Sequence, residues 1–108
     1  MTTKARPPLR LGLAGLSHDH LSIVGQLSPD DFEIVGIGDH NAELREAAGQ
    51  RFGIPEHARH SDLAALIEAA RPDAVAAFGP IVEHLAVVEE CAPRGVHVMV
   101  EKPLAVSV

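Results

Sequence analysis

Two hydrophobic periods alternate along this chain, and that alternation limits what it can fold into more than any other feature. Nearly unbroken aliphatic runs occur at Leu9 to Ala14, Phe32 to Ile37, Asp73 to Phe78 and Val96 to Val100. A strand wet on one face alternates apolar with polar residues, whereas a continuous apolar run is stable only when both faces are covered. Between the runs lie segments with apolar residues three or four apart. Leu21, Val24 and Leu27, with Ile23, form the first, stopped by Pro29. Asn41 is placed to cap a second that carries Leu44, Ala47, Ala48 and Phe52 inward, with Gly53 ending it in a left-handed conformation. Ser61 is expected to cap a third through Leu63, Leu66, Ile67 and Ala70, which Pro72 cannot continue. A fourth runs from Val82 to about Ala92 through Leu85, Val88 and Cys91. Pro93 has no N–H to offer Glu89, so this helix should end early. Glu56 to His60 leaves room only for a short polar strand at a sheet edge.

Strand and helix therefore alternate throughout. The expected fold is α/β, a doubly wound parallel sheet with helices on both faces, Rossmann-like, in one three-layer domain. The right-handed crossover rule favours the order 3-2-1-4-5. A length of 108 residues suits one domain, here 9–108 behind a loose lead-in over 1–8. There is no internal repeat and no low-complexity segment.

Fifteen acidic residues against nine Lys and Arg give a formal charge of -6, and the basic residues are scattered. Nucleic acid is disfavoured as a partner. No stretch approaches the roughly 20 apolar residues of a membrane span. The apolar segment from Leu9 to Leu16 is broken by Arg10 and closed by Ser17-His18-Asp19-His20, unlike a secretory signal. The single cysteine, Cys91, has no internal disulfide partner and sits in an apolar helical pattern, as a packed hydrophobe does. A cytoplasmic setting is expected.

In a doubly wound sheet, ligands bind beyond the carboxyl ends of the strands where the order reverses, which directs attention to the loop after the first strand. Against the GxGxxG dinucleotide fingerprint, Gly15 takes the first glycine position, Ser17 the second and His20 the third. Gly15 permits the tight turn, and the following helix start offers free N–H groups to a pyrophosphate. Ser17 can add a hydroxyl bond, and His18 and His20 stand where a protonated imidazole supplements the N–H groups. Asp39 closes the second run, 24 residues beyond Gly15, at the spacing of a carboxylate that accepts from an adenosine ribose. The alternative is that Asp39 serves only to start the next helix. Its neighbours Gly38 and His40 are not arginines, so NAD is favoured over NADP. The histidines, His18, His20, His40, His57 and His60 among them, show no spacing of a built metal site, and no metal is expected.

The last strand runs into Glu101-Lys102-Pro103. That signature resembles the glucose-fructose oxidoreductase, inositol dehydrogenase and rhizopine-catabolism family, Gfo/Idh/MocA. The likeness extends from about Leu9 through Arg71-Pro72-Asp73 and the Pro80 to His84 segment. It implies that Lys102 is catalytic, assisting proton movement as hydride passes between a nicotinamide and a sugar or polyol carbon. It also implies cofactor contacts from Gly79, Pro80, His84, Glu101 and Lys102. Ile81 stands where the family usually has asparagine. Family members continue into a second, mainly antiparallel domain that forms the substrate pocket, so this chain is expected to be inactive alone and prone to self-association. A stand-alone nucleotide or coenzyme A binding module, or a non-catalytic regulator, is the competing reading.

Overall fold

The computed structural model describes residues 7–17, 19–79 and 83–100, with backbone alone for residues 19, 20, 22, 23, 84 and 100. Five parallel strands form one sheet in the order β3-β2-β1-β4-β5, as the alternation of runs requires. They are β1 (Leu9–Ala14), β2 (Phe32–Gly38), β3 (Arg59–His60), β4 (Ala74–Ala77) and β5 (His97–Val100). Three α-helices connect them, α1 (Ala42–Phe52), α2 (Leu63–Ala70) and α3 (His84–Cys91). The edge strand β3 has two residues only, entered from a 3-10 turn at Glu56–Ala58.

The segment between β1 and β2 is a 3-10 helix, Asp19–Gln26. Ile23, Val24 and Gly25 are weak α-formers, and Leu27, expected as its last apolar contact, lies just past its end. Asn41 caps α1 as expected: its side chain accepts from the N–H groups of Glu43 and Leu44. Gly53 ends that helix at φ 68°. Ala47, expected inside, is exposed, because the inward stripe is Leu44, Ala48 and Phe52. The buried neighbour is Gly49, whose missing side chain is filled by the Arg59 guanidinium. Asp62, not Ser61, caps α2, its Oδ1 accepting from Ala65 N at 2.8 Å. A carboxylate there also complements the helix dipole. Ahead of Pro72, the helix stops at Arg71 with φ 50°, and the Arg10 guanidinium takes up the freed carbonyls of Ala70 and Arg71. The α-helical part of α3 ends at Cys91, and Pro93 sits in the 3-10 turn Ala92–Arg94 that follows. Leu85, expected to pack inward, is half exposed.

Two apolar layers flank the sheet. On one face Leu11, Leu13 and Ile37 meet Leu21, Val24 and Ala48; on the other, Ala14 and Val75 meet Ile67, Cys91 and Val96. The second face carries an unusual seat. Fully buried Leu66 of α2 lies over Gly12, Gly36 and Gly38, which present no side chains to it. A Cβ on Gly36 would stand 2.5 Å from Leu66 Cδ1 and 3.2 Å from the Ala58 carbonyl oxygen. The bulge that skips Val35, with Leu11 opposite Ile34 and Gly12 opposite Gly36, sets this register.

Two outcomes follow for stability. Gly36→Ala should destabilise by about 1–3 kcal/mol through overpacking and Leu66→Ala by about 2–5 kcal/mol. Combined, they should cost less than their sum, because removing the leucine relieves the clash. Urea unfolding of the four proteins measures this, and strict additivity refutes the seat. Cys91 is fully buried, and burial first, then the Glu90 carboxylate, raises its pKa against a smaller opposing effect of Arg94. Thiol reagents should label the folded chain slowly. Stability should fall as pH rises past the ordinary thiol value of 9.0, where the unfolded chain loses a proton that the folded one retains.

Candidate functional site

At the carboxyl ends of β1, β2 and β4 lies a cleft of about 580 Å³, where the strand order reverses. Gly15 sits at its floor with φ 78°, donating its N–H to the Gly38 carbonyl at 2.8 Å. A Cβ there would come within 2.5 Å of Gly79 N, so the loops after β1 and β4 touch backbone to backbone. Any side chain at 15 would be strained by conformation and blocked by main chain. The first glycine of the fingerprint is thus needed for the turn and for the approach of a second loop.

Asp39, just past β2, is half-buried and ties three segments together. Its Oδ2 accepts from Leu16 N and its Oδ1 from Asn41 N, both at 2.8 Å. Its own N–H donates to the His60 carbonyl, while Arg45 donates to its carbonyl oxygen at 2.6 Å. The carboxylate therefore does help to order the start of α1, the alternative raised from sequence, and also anchors the loop after β1. Each oxygen retains lone pairs able to accept a further hydrogen bond.

Of the residues singled out by sequence, Gly15, Ser17, Asp39 and Gly79 line this one cleft. The backbone of His20 lies in the first turn of the 3-10 helix after β1 and that of His84 opens α3. His18, Pro80, Glu101 and Lys102 lie outside the described residues, as does Ile81. The cleft also has a wall that the sequence pattern did not mark. Leu63 and Ala64 of α2 line it, as do Glu83 at the N-cap of α3 and Ala86, Val87 and Glu90 of that helix. Their spacing is a second helical stripe, offset from Leu85, Val88 and Cys91, and asking which α3 face looks toward the strand ends would have found it.

The donor set fits a dinucleotide. Gly15 provides a side-chain-free approach, Asp39 an acceptor for hydroxyls, and the α2–α3 wall an apolar slot. Asp39, Asp62, Glu83 and Glu90 line the cleft, with no lysine or arginine among the described lining residues. Among the described residues, backbone N–H groups and the Ser17 hydroxyl are left to meet the negative charge of a pyrophosphate. No group of three or more His, Cys, Asp or Glu residues that could hold a metal ion occurs among the described residues.

Comparison with known proteins places this cleft in context. Residues 10–108 match the model of an oxidoreductase family described as an NAD-binding Rossmann fold, GFO_IDH_MocA. A D-apiose dehydrogenase of Paraburkholderia graminis is 34% identical over 97 residues, covering 90% of this chain and 25% of that protein. The WlbA dehydrogenase of Bordetella pertussis, solved in complex with NADH and UDP-GlcNAcA, superposes with a TM-score of 0.79 at 32% identity, covering 91% of this chain and 30% of that one. Scyllo-inositol dehydrogenase of Lactobacillus casei shares the fold with a TM-score of 0.80 at 21% identity, over 94% of this chain and 30% of that one. The chain thus spans between a quarter and a third of the length of these relatives.

Asp39→Asn should cost about 1–3 kcal/mol, since one amide oxygen cannot replace both carboxylate acceptors. Urea unfolding together with hydrogen exchange at the Leu16 amide reports on it. Unchanged exchange at Leu16 would remove the tie from this account.

Proposed function

Since the chain belongs to the Gfo/Idh/MocA oxidoreductase family, we propose that its cleft binds a nicotinamide adenine dinucleotide, NAD in preference to NADP, for an enzyme that transfers hydride to or from a sugar, polyol or related compound. The observation that carries this reading is Asp39, whose carboxylate is held at the cleft by two backbone N–H groups beside the left-handed Gly15. Its remaining lone pairs suit ribose hydroxyls. A ribose phosphate in the same place would meet that carboxylate with no lysine or arginine among the described lining residues to offset it.

The parts divide as follows. Gly15 lets the main chain approach the pyrophosphate, and the N–H groups at the start of the following helix, with the Ser17 hydroxyl, donate to it. His18 and His20 supplement those donors. Gly79, Pro80 and His84, with Glu101, hold the nicotinamide end. Lys102 exchanges a proton with the substrate hydroxyl as the carbon is oxidised or reduced. The nicotinamide, when bound, supplies the hydride donor or acceptor. Substrate binding falls to parts of the protein beyond this domain, and positioning cannot be arranged without them, so the isolated domain should turn over no sugar.

Among the described residues no helix is long and apolar enough to cross a membrane. A cytoplasmic enzyme that assembles from like copies accords with the family reading, and the half-exposed Met99 on edge strand β5 supports association there.

Calorimetric titration with NADH, NADPH and coenzyme A tests the reading. NADH should bind most tightly, and Asp39→Ala should weaken it about tenfold or more while narrowing its lead over NADPH. Binding of coenzyme A without NADH would overturn the assignment in favour of a different nucleotide module.

A further inference from the structure

Leu63 and Val87 of the wall between α2 and α3 pack against the core beneath it, and the composition of the wall is specific. Helix α3 turns Glu83, Ala86, Val87 and Glu90 toward the cleft, an i, i+3, i+4, i+7 stripe with a carboxylate at each end and two apolar residues between. Leu63 and Ala64 at the start of α2 face it. Apolar side chains facing one another across a cleft suit a flat ring held by its faces.

We propose that Glu90 selects the base of the bound nucleotide, accepting a hydrogen bond from the exocyclic amine of adenine whose ring lies between Ala86–Val87 and Leu63. This rests on the dinucleotide reading above.

Placement and chemistry both carry it. Glu83 marks the pyrophosphate end: its Oε1 lies 3.0 Å from where a Cβ on Gly79 would stand, and Gly79 touches Gly15. Glu90 is seven residues further along the helix, a rise of roughly 10 Å. That rise matches the span from the 5′-phosphate of an adenosine nucleotide to its 6-amino group. The Glu90 side chain is also held in place. Arg94 donates to its Oε1 at 3.1 Å and to its backbone carbonyl at 2.7 Å, with the carboxylate side chain 42% exposed at the cleft rim. A carboxylate offers about four acceptor sites and no donor, so Arg94 leaves capacity for a second partner.

An acceptor-only group discriminates between purines by their position 6. Adenine presents a donor there and hypoxanthine or guanine an acceptor, which would face the carboxylate oxygen to oxygen. Neither Ala86 nor Val87 can make that distinction, and the Asp62 carboxylate is directed by its cap bond to Ala65 N at the start of α2.

The test compares binding of NADH with that of reduced nicotinamide hypoxanthine dinucleotide, which carries a 6-oxo group in place of the amine and a proton on N1. Both are titrated calorimetrically into the chain and into Glu90→Gln, whose amide both accepts and donates. Circular dichroism confirms that the variant is folded. The chain should prefer the adenine form by about tenfold or more. Glu90→Gln should bring the ratio close to one, mainly by improving hypoxanthine binding, which a merely structural effect would not do. Equal binding of the two by the chain, or a preference that persists in Glu90→Gln, overturns the assignment of Glu90 and leaves the dinucleotide site standing. Binding of neither overturns both.

Discussion

The Leu66 side chain rests on Gly12, Gly36 and Gly38, and this contact sets how closely α2 can lie on the sheet. Helices ordinarily stand off a sheet by the depth of two layers of side chains. Here one layer is absent, so α2 sinks toward β1 and β2 and brings Asp62, Leu63 and Ala64 to the rim of the cleft. Arg10 secures the far end of the same helix by hydrogen bonds to the Ala70 and Arg71 carbonyls. The left-handed Arg71 and Pro72 then turn the chain directly into β4. The slot opposite α3 has one wall on α2, which is seated on the sheet through Leu66 and tied at its C-terminal end by Arg10.

A second dependence runs through Asp39. In a simple view of the fingerprint this residue waits for a ribose. In the folded chain it already bonds Leu16 N and Asn41 N, joining the loop after β1 to the start of α1. The same carboxylate is thus part of the scaffold and of the cleft lining, with lone pairs still open. Such pre-engagement fixes its direction before any cofactor arrives, which lowers the ordering cost of binding. It also couples two glycine-poor features. Ser17 and His20 replace glycines that would have shaped the loop from within, and the Leu16–Asp39 bond holds that loop from outside.

The cleft has an acidic lining and an anionic ligand is proposed for it, so backbone dipoles, with the His18 and His20 imidazoles proposed beside them, would have to reconcile the two. Gly15 and Gly79 bring main chain together at the floor, where the Gly15 and Leu16 N–H groups are already bonded to the Gly38 carbonyl and to Asp39, so the donors for a phosphate lie further along the loop. Asp39, Asp62 and Glu90 line the cleft away from that floor, while the Glu83 carboxylate stands beside Gly79.

What the sequence determined by itself is local and periodic. Continuous aliphatic runs demanded a sheet covered on both faces, Asn41 and Gly53 bounded α1, Pro93 ended α3, and Gly15 with Asp39 marked the cleft at its correct strand ends. These are consequences of backbone geometry and burial within a few residues, so a linear reading reaches them. Tertiary structure decided the rest. The competition between Ser61 and Asp62 for the α2 cap turned on one residue of helix phase that neither propensity settles. Ala47 and Leu85 went outward because the sheet offered them nothing to cover, while Gly49 went inward beneath Arg59, ten residues distant in sequence. The glycine seat for Leu66 and the Glu83–Glu90 wall join residues from separate strands and helices. No periodicity within one segment can foretell such contacts, because they arise only when the crossovers have stacked those segments on a common sheet.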